Sequence, residues 1–489
     1  MSLTHEDAPG AAARFATISE LAHALRRKDY SARELALATC DLLEREGGRY
    51  NAVAAVMRKR ALREAERADR ANGPEASDSA LWGIPYGAKD LLAARGAPTT
   101  WGAPPYRDQV IDKDATAIRR LRRAGAVLAA KLAMVELAGG GSYRYPSASL
   151  QGPGRNPWDL DRWSGGSSSG SAAAVAAGLV AYSLGSETSG SIGTPAAFCG
   201  VTGLRPTYGL VSRHGAMALS WTLDKIGPIA HSAEDCGTVL AALAGGDRAD
   251  PTASGRRFRP LASEAAGDAG RRARVGYAEE DVAQHAAATA QGALAAGVAE
   301  FARGVGTLTR ATLPEGYPYS AMVATVFGAE GASIFGELVD GGGVDALVDE
   351  GQKAGLRAAD EIRARDYLHA MRLRTLLQHD FAKVFRDVDV LLTAGRTSTA
   401  PAIDQPLGAR PPGSGSTPAT DEKPVGNTPL IPAGNLAGLP AIFFPCGFGT
   451  DGLPVGLQLV GPPFSEPLLV ALVSAYQALT DHHRKRPKV

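Results

Sequence analysis

Two glycine- and serine-rich blocks lie close together in this chain, Gly165-Gly166-Ser167-Ser168-Ser169-Gly170-Ser171 and Gly185-Ser186-Glu187-Thr188-Ser189-Gly190-Ser191-Ile192-Gly193. Hydroxyls presented on such turns suit phosphate binding or nucleophilic catalysis, and each chemistry makes demands on its neighbours. Gly165 and Gly170 have P-loop spacing, but Ser171 stands where the phosphate-binding lysine belongs and Ala172 where the Mg²⁺-bound hydroxyl belongs. A P-loop lacking both is not a nucleotide site. Gly166 to Gly170 also matches Gly-x-Ser-x-Gly, which would make Ser168 the nucleophile of an α/β-hydrolase elbow. That elbow follows a buried strand and needs a histidine later in the chain. Here Pro157 to Trp163 reads as polar and turn-like, and none of the nine histidines sits in a segment like a triad loop: His369 and His379 fall on a helix, and His214 and His231 flank turns. A serine without histidine needs another base. A lysine whose pKa is lowered from about 10.4 towards about 7 or 8 by burial can supply it. Lys89 is the candidate, at the end of the apolar, glycine-flanked run Gly83 to Leu92. Read alone, it fits a surface ion pair with Asp90 better.

Further motifs accompany these blocks in a fixed order. They are Gly83-Ile84-Pro85 with Lys89-Asp90, the Gly165 block, Gly190-Ser191-Ile192 followed by Pro195-Ala196-Ala197-Phe198-Cys199-Gly200, and Gly203-Leu204-Arg205-Pro206-Thr207-Tyr208-Gly209. Asp224-Lys225-Ile226-Gly227-Pro228, Asn435-Leu436-Ala437-Gly438-Leu439-Pro440 and Gly452 to Gly461 complete the set. Over nearly the whole chain the pattern resembles the amidase signature family. The resemblance implies a single-domain α/β/α fold with a mixed central sheet and a Ser, cis-Ser, Lys triad that needs no cofactor. Carried over, Ser191 is the nucleophile, Ser167 the bridging serine preceded by a cis peptide, and Lys89 the base. The 24 positions from Ser167 to Ser191 agree with the family's separation. The amides of Thr188, Ser189, Gly190 and Ser191 would form the oxyanion hole, Ser168 and Thr188 would support the serines, and Gly140 and Gly141 would line the acyl side of the pocket. The implied activity is hydrolysis of an amide through an acyl-enzyme.

One departure bears on substrate. The family commonly reads Asp-Thr-Gly-Gly-Ser-Ile-Arg where this chain reads Glu187-Thr188-Ser189-Gly190-Ser191-Ile192-Gly193. Loss of the arginine removes a fixed positive charge beside the nucleophile, so the expected substrate is a neutral aryl or hydrophobic amide, with carbamates and esters open to the same acylation chemistry. Two alternatives stand beside it: a glutaminase-type component of a tRNA-dependent amidotransferase, acting with a partner, and the α/β-hydrolase using Ser168.

The elements that must position these residues are also legible. Thr17-Ile18-Ser19-Glu20 and Ser31-Ala32-Arg33-Glu34 match the capping box, and residues 1–72 read as a helical segment packed on the core, ahead of an amidase domain over 73–489. Apolar runs at Trp82 to Tyr86 and Ala126 to Ala130 alternate with a helix at about Thr116 to Ala124, as in layered α/β folds. Gly139 to Gly170 has no periodicity, and Ala172 to Val180 reads as an Ala-rich helix. Ala244 to Arg272 reads as a solvated linker. Further on come a strand at Arg274 to Tyr277, a helix at Asp366 to Val384 and a strand at Val388 to Leu392. Residues 395–428 read as a flap at the site mouth. Glycine and proline, 58 and 31 of 489 residues, exceed the roughly 12% of an average chain and concentrate in Gly139 to Gly193 and that flap.

Lys plus Arg is 52 against Asp plus Glu 51, so no global field favours nucleic acid or an anionic membrane. The basic run Arg119 to Arg123 reads as a solvated helix face, and His482 to Lys488 as a frayed terminus. Four cysteines without metal spacing, no apolar leader at Met1 to Asp7 and no run of 18 apolar residues point to a cytoplasmic enzyme, monomeric or homodimeric, that takes a small-molecule amide, carbamate or ester.

Overall fold

The computed structural model describes residues 13–71, 79–407 and 427–489. Its strands are β1 (Val53–Val56), β2 (Pro85–Lys89), β3 (Val127–Leu132), β4 (Arg155–Asn156), β5 (Asp159–Trp163), β6 (Tyr182–Glu187), β7 (Thr202–Arg205), β8 (Lys225–Ala230), β9 (Arg274–Tyr277), β10 (Thr307–Arg310), β11 (Val390–Ala394), β12 (Ala441–Phe448) and β13 (Pro454–Val460). Eleven of these form one sheet in the order β1-β3-β2-β6-β8-β7-β12-β13-β11-β9-β10, and β4 and β5 form a separate hairpin. Parallel pairing joins β3, β2 and β6 on one side and β11, β9 and β10 on the other, while the strands between are antiparallel. Helices cover both faces, the mixed α/β/α arrangement expected from the sequence. Strands β2, β3, β6 and β8 are buried along their whole length, as sheets covered on both sides require.

Both capping boxes form, on the helices Ile18–Arg27 and Ala32–Glu46. The expected helix at Thr116 spans Thr116–Arg123, and the one at Asp366 spans Ala364–Asp387. The N-terminal segment is not wholly helical, because β1 adds itself antiparallel to β3 as the sheet edge. Residues 157–163, read as a turn, include β5, a half-exposed strand paired with β4. The Ala-rich helix begins earlier and ends sooner than expected, at Ser169–Ala176. The supposed linker after Ala244 contains the helix Ser263–Arg272 and is tied down ahead of it: the Asp247 carboxylate accepts from Thr116 and Ser212, and Asp250 from the Arg213 amide. Polar anchors hold that stretch, so hydrophobic periodicity could not reveal it.

The basic segments also differ from expectation. Arg119 donates to Thr116 Oγ1 and Asp114 O, and Arg120 to the carbonyls of Leu243, Gly245 and Gly246. Only part of that helix face is therefore solvated. The C-terminal tail packs rather than frays: His483 is buried, His482 Nε2 lies 3.0 Å from Glu300 Oε2, and the Arg486 guanidinium stacks 5.3 Å from the Phe15 ring. All four cysteines are free and buried. The helix Tyr319–Asp340 is long and apolar enough by composition to cross a membrane. It carries a buried Glu330 that accepts from Ser220, Thr222 and Tyr367, which ties it into the interior of this fold. Of the expected flap, 395–407 lies against the hairpin, with Trp163 N donating to Pro401 O (2.8 Å) and Ile403 N to Asp161 O (3.0 Å). Its remainder, 408–426, lies outside the described residues.

Candidate active site

Lys89 is the last residue of β2 and Glu187 the last of β6, two parallel neighbours in the sheet order. The carboxyl ends of parallel strands are where α/β sheets build their sites, because the chain leaves the sheet there in loops. The turn at Ser167 is held against the same edge: Val135 N donates to Ser167 O (3.1 Å) and Gly170 N to Ala133 O (3.0 Å), both just beyond β3. Ser171 and Ser183 then stitch the helix Ser169–Ala176 to β6, each hydroxyl donating to the main chain of the other element. The peptide bond between Gly166 and Ser167 is cis.

Within this frame the Lys89 amine meets three hydroxyls, Ser167 Oγ at 2.8 Å, Ser168 Oγ at 3.0 Å and Ser186 Oγ at 3.0 Å. It makes no pair with Asp90. Successive strand residues point to opposite faces, and the Asp90 carboxylate is taken by Lys131 (2.5 Å) and the Thr100 amide. Lys89 is fully buried, and burial pulls its pKa down to about 7, with Asp224 and Glu187 offsetting part of the shift. A neutral amine has two protons to donate and one lone pair to accept with. Ser168 directs its own proton to Ser186 O (3.2 Å), so it accepts from Lys89. Ser167 and Ser186 donate to no other acceptor among the described residues, so either hydroxyl can give its proton to the lone pair.

Ser191 is brought alongside by its carbonyl, which accepts from the Ser168 amide at 3.2 Å. Its hydroxyl makes no hydrogen bond among the described residues. Exposure separates the serines: Ser191 is 9% exposed, whereas Ser167 is at 1% and Ser168 at 0%. Of these three serines Ser191 is the most open, which disfavours the elbow at Ser168. No protein acceptor among the described residues takes the N–H of Ser189, Gly190 or Ser191, while the next two amides, Ile192 and Gly193, both donate to Glu187 Oε2 at 2.9 Å. Gly190 has a φ of +88°, a left-handed conformation that turns the loop back on itself. The Thr188 hydroxyl is tied to Asp224 Oδ1 (2.6 Å).

The group that positions this loop escaped sequence reasoning. Glu187 Oε1 accepts from Arg205 Nη1 (2.8 Å) and Asn435 Nδ2 (2.8 Å), with both members of the ion pair fully buried. Burial would raise the Glu187 carboxyl, but Arg205, Asn435 and the Gly193 amide hold it down at about 2. Removing one partner of a buried pair strands the other charge, at about 3–5 kcal/mol. Arg205→Ala should therefore lower the apparent Tm by several degrees and reduce turnover; an unchanged melting curve would show that Glu187 finds other partners. The signal was present, since Glu187, Arg205 and Asn435 are polar residues inside apolar, glycine-rich motifs, but their meeting needs the fold.

Gly140 is buried, and a Cβ there would meet Phe335 and Leu219. A Cβ on Gly141 would strike Gln352 O at 2.5 Å, so Gly141 allows close packing of the helix Glu350–Ala358. A cavity of about 200 Å³ lies beside Ser186 and Thr188, with Leu91, Met217, Leu219 and Trp221 in its wall. Among the described residues no cluster of His, Cys, Asp or Glu has the arrangement of a metal site.

Residues 34–470 match the Amidase family. The A component of the glutamyl-tRNA(Gln) amidotransferase of Moorella thermoacetica is 34% identical, covering 97% of this chain and 99% of that protein. Two solved structures share the fold at 28% identity. The peptide amidase from Stenotrophomonas maltophilia has a TM-score of 0.80 over 96% of this chain and 97% of that one. The A component of the glutamyl-tRNA(Gln) amidotransferase of Thermotoga maritima has a TM-score of 0.74 over 94% of each. With its sheet and its ordered motifs matched along almost the whole length, the chain belongs to the amidase signature family, hydrolases of the amide C–N bond.

Proposed function

We propose that this protein hydrolyses a neutral carboxamide through an acyl-enzyme on Ser191, with Ser167 and Lys89 as proton relay. The observation that carries the reading is a buried, neutral-poised Lys89 whose amine lies 2.8 Å from Ser167 Oγ, next to the more open Ser191 and three uncommitted amides. Ser191 Oγ attacks the carbonyl carbon as its proton passes to Ser167 and the Ser167 proton to Lys89 Nζ. The N–H groups of Ser189, Gly190 and Ser191 receive the developing oxyanion, a contribution typically worth about two to three orders of magnitude per donor. Collapse breaks the C–N bond, and the proton returns through Ser167 to the leaving nitrogen. Water then attacks the ester by the same relay, releasing the acid and freeing Ser191.

Neutral substrates are favoured by what replaces the family's arginine. A Cβ on Gly193 would lie 2.2 Å from the Phe443 ring, so an aromatic side chain fills the space where a cationic one would start. Of the two basic side chains in the wall of the adjoining cavity, Arg213 is already engaged by Trp221 O, the Tyr208 hydroxyl and Asp250, and burial pushes the Lys225 amine well below its ordinary range, towards the uncharged form. Neutral anilides should accordingly show kcat/KM at least about tenfold above dicarboxylic monoamides, with aryl carbamates and esters measured in the same panel. Clear preference for the anionic amides would sink the neutral-substrate reading.

A second reading, the glutamine-hydrolysing component of a tRNA-dependent amidotransferase, is favoured by the similarity to proteins of that name over nearly their full length. The purified chain separates the two: hydrolysis of a simple amide by the chain alone supports the free-standing enzyme, and activity that appears only with a partner protein supports the amidotransferase.

A further inference from the structure

Away from the serine site, a groove of about 530 Å³ lies between the helix Thr116–Arg123 and the segment 244–259. Arg120 and Arg123 come from the helix and Arg257 and Arg259 from the facing segment, over a floor that includes Gly245 and Gly246. The side chains of Arg123, Arg257 and Arg259 are exposed, and among the described residues no carboxylate forms an ion pair with any of the four. Arg120 is anchored by main-chain carbonyls alone, two of its bonds being Nη1 to Gly245 O (3.2 Å) and Nη2 to Gly246 O (2.6 Å). Burial disfavours its charge, and repulsion from Arg123, Arg119 and Arg257 works against the single nearby Asp247. Some other surface arginines do find carboxylates, Arg58 with Asp41 and Glu44, Arg274 with Asp389 and Arg310 with Glu280. Three exposed guanidinium groups without a carboxylate partner, gathered with the carbonyl-bound Arg120 around one concavity, make an arrangement that an oligoanion relieves.

We propose that this groove binds a small oligophosphate, a di- or triphosphate chain, free or as part of a nucleotide. Planar guanidinium forks match phosphate oxygens in bidentate fashion, and several forks reward several linked phosphates over one. The volume is that of a small-molecule site, and the walls on two sides enclose a short chain. The site is independent of the amide chemistry.

The test is calorimetric titration of the full chain with inorganic tripolyphosphate at low salt, with orthophosphate, ATP and a single-stranded RNA as comparisons. Tripolyphosphate should bind with a stoichiometry of about one and at least about tenfold more tightly than orthophosphate. The double variant Arg257→Ala/Arg259→Ala, at exposed positions, should weaken it by about tenfold or more while leaving amide hydrolysis unchanged. ATP equal to tripolyphosphate identifies the phosphate chain as the whole determinant, and ATP tighter adds the nucleoside. Absence of saturable binding, binding indifferent to the double variant, or RNA binding more tightly per phosphate than tripolyphosphate would each overturn the proposal.

Discussion

Ser191→Ala should abolish amide hydrolysis, lowering kcat by at least about four orders of magnitude, with an unchanged circular dichroism spectrum and melting temperature. The hydroxyl makes no hydrogen bond that the fold depends on, and its position is set by main-chain contacts that alanine retains: the Ser191 carbonyl still accepts from Ser168, and Glu187 still holds the amides of Ile192 and Gly193. What alanine removes is the hydroxyl proposed to attack the carbonyl carbon. Ser168→Ala is the informative contrast. Ser168 is wholly buried and serves as an acceptor for Lys89 and the Ser186 amide, so its loss should slow turnover by about one or two orders of magnitude without erasing it. A serine-directed fluorophosphonate, followed by mass spectrometry, reads the difference directly: the adduct should be lost in Ser191→Ala and kept in Ser168→Ala. The opposite pattern would return the nucleophile to the elbow.

The legible parts of this protein are those whose chemistry is local. Capping boxes at Thr17 and Ser31 need only four residues each, and both form. Buried strands β2 and β3 announce themselves as apolar runs. Strand β1 did not, because four residues at a sheet edge are specified by the partner β3, some 75 positions away. Strand β5 looked like a turn because a half-exposed strand carries charge at every other position, as Asp159 and Asp161 do. The same division runs through the site. Hydroxyls and glycines concentrated at 165–171 and 185–193 pointed to the chemistry, and Lys89 stood out as a cation in an apolar run. Its separation from Asp90 follows from strand alternation once β2 is known to reach that far. By contrast, Glu187, Arg205 and Asn435 converge from β6, β7 and a helix 248 positions beyond Glu187. Gly193 was read as a missing charge, and the structure adds the reason that no side chain at all fits, the Phe443 ring.

Replacing Lys89 should separate activity from stability in opposite directions. Lys89→Met keeps most of the side-chain volume and removes the base in contact with Ser167, so kcat should fall by about three orders of magnitude or more. Lys89→Arg should be as inactive at every pH up to about 9, because a guanidinium stays protonated there. For the unaltered protein, the amine is pulled down to about 7 by burial. Below that pH it is an ammonium and cannot take the Ser167 proton, so kcat/KM should fall about tenfold per pH unit on the acid side and level off above neutrality. Stability has the sign that follows from the same shift. An ordinary lysine keeps its proton to about 10.4, so between about 7 and that value the unfolded chain binds a proton that the folded one does not, and Lys89 makes the fold more stable as pH rises through that window. Towards and below pH 7 the folded protein either forgoes the proton or buries a charge, and both oppose folding. Methionine has neither cost. Lys89→Met should therefore melt at a higher temperature than the parent at pH 6, with the gap closing towards pH 10. Loss of activity together with a lower melting temperature at pH 6 would make Lys89 a structural cation instead. The two readouts together identify an amine kept uncharged inside the fold because its chemistry requires it, the trade of stability for function expected of a buried base.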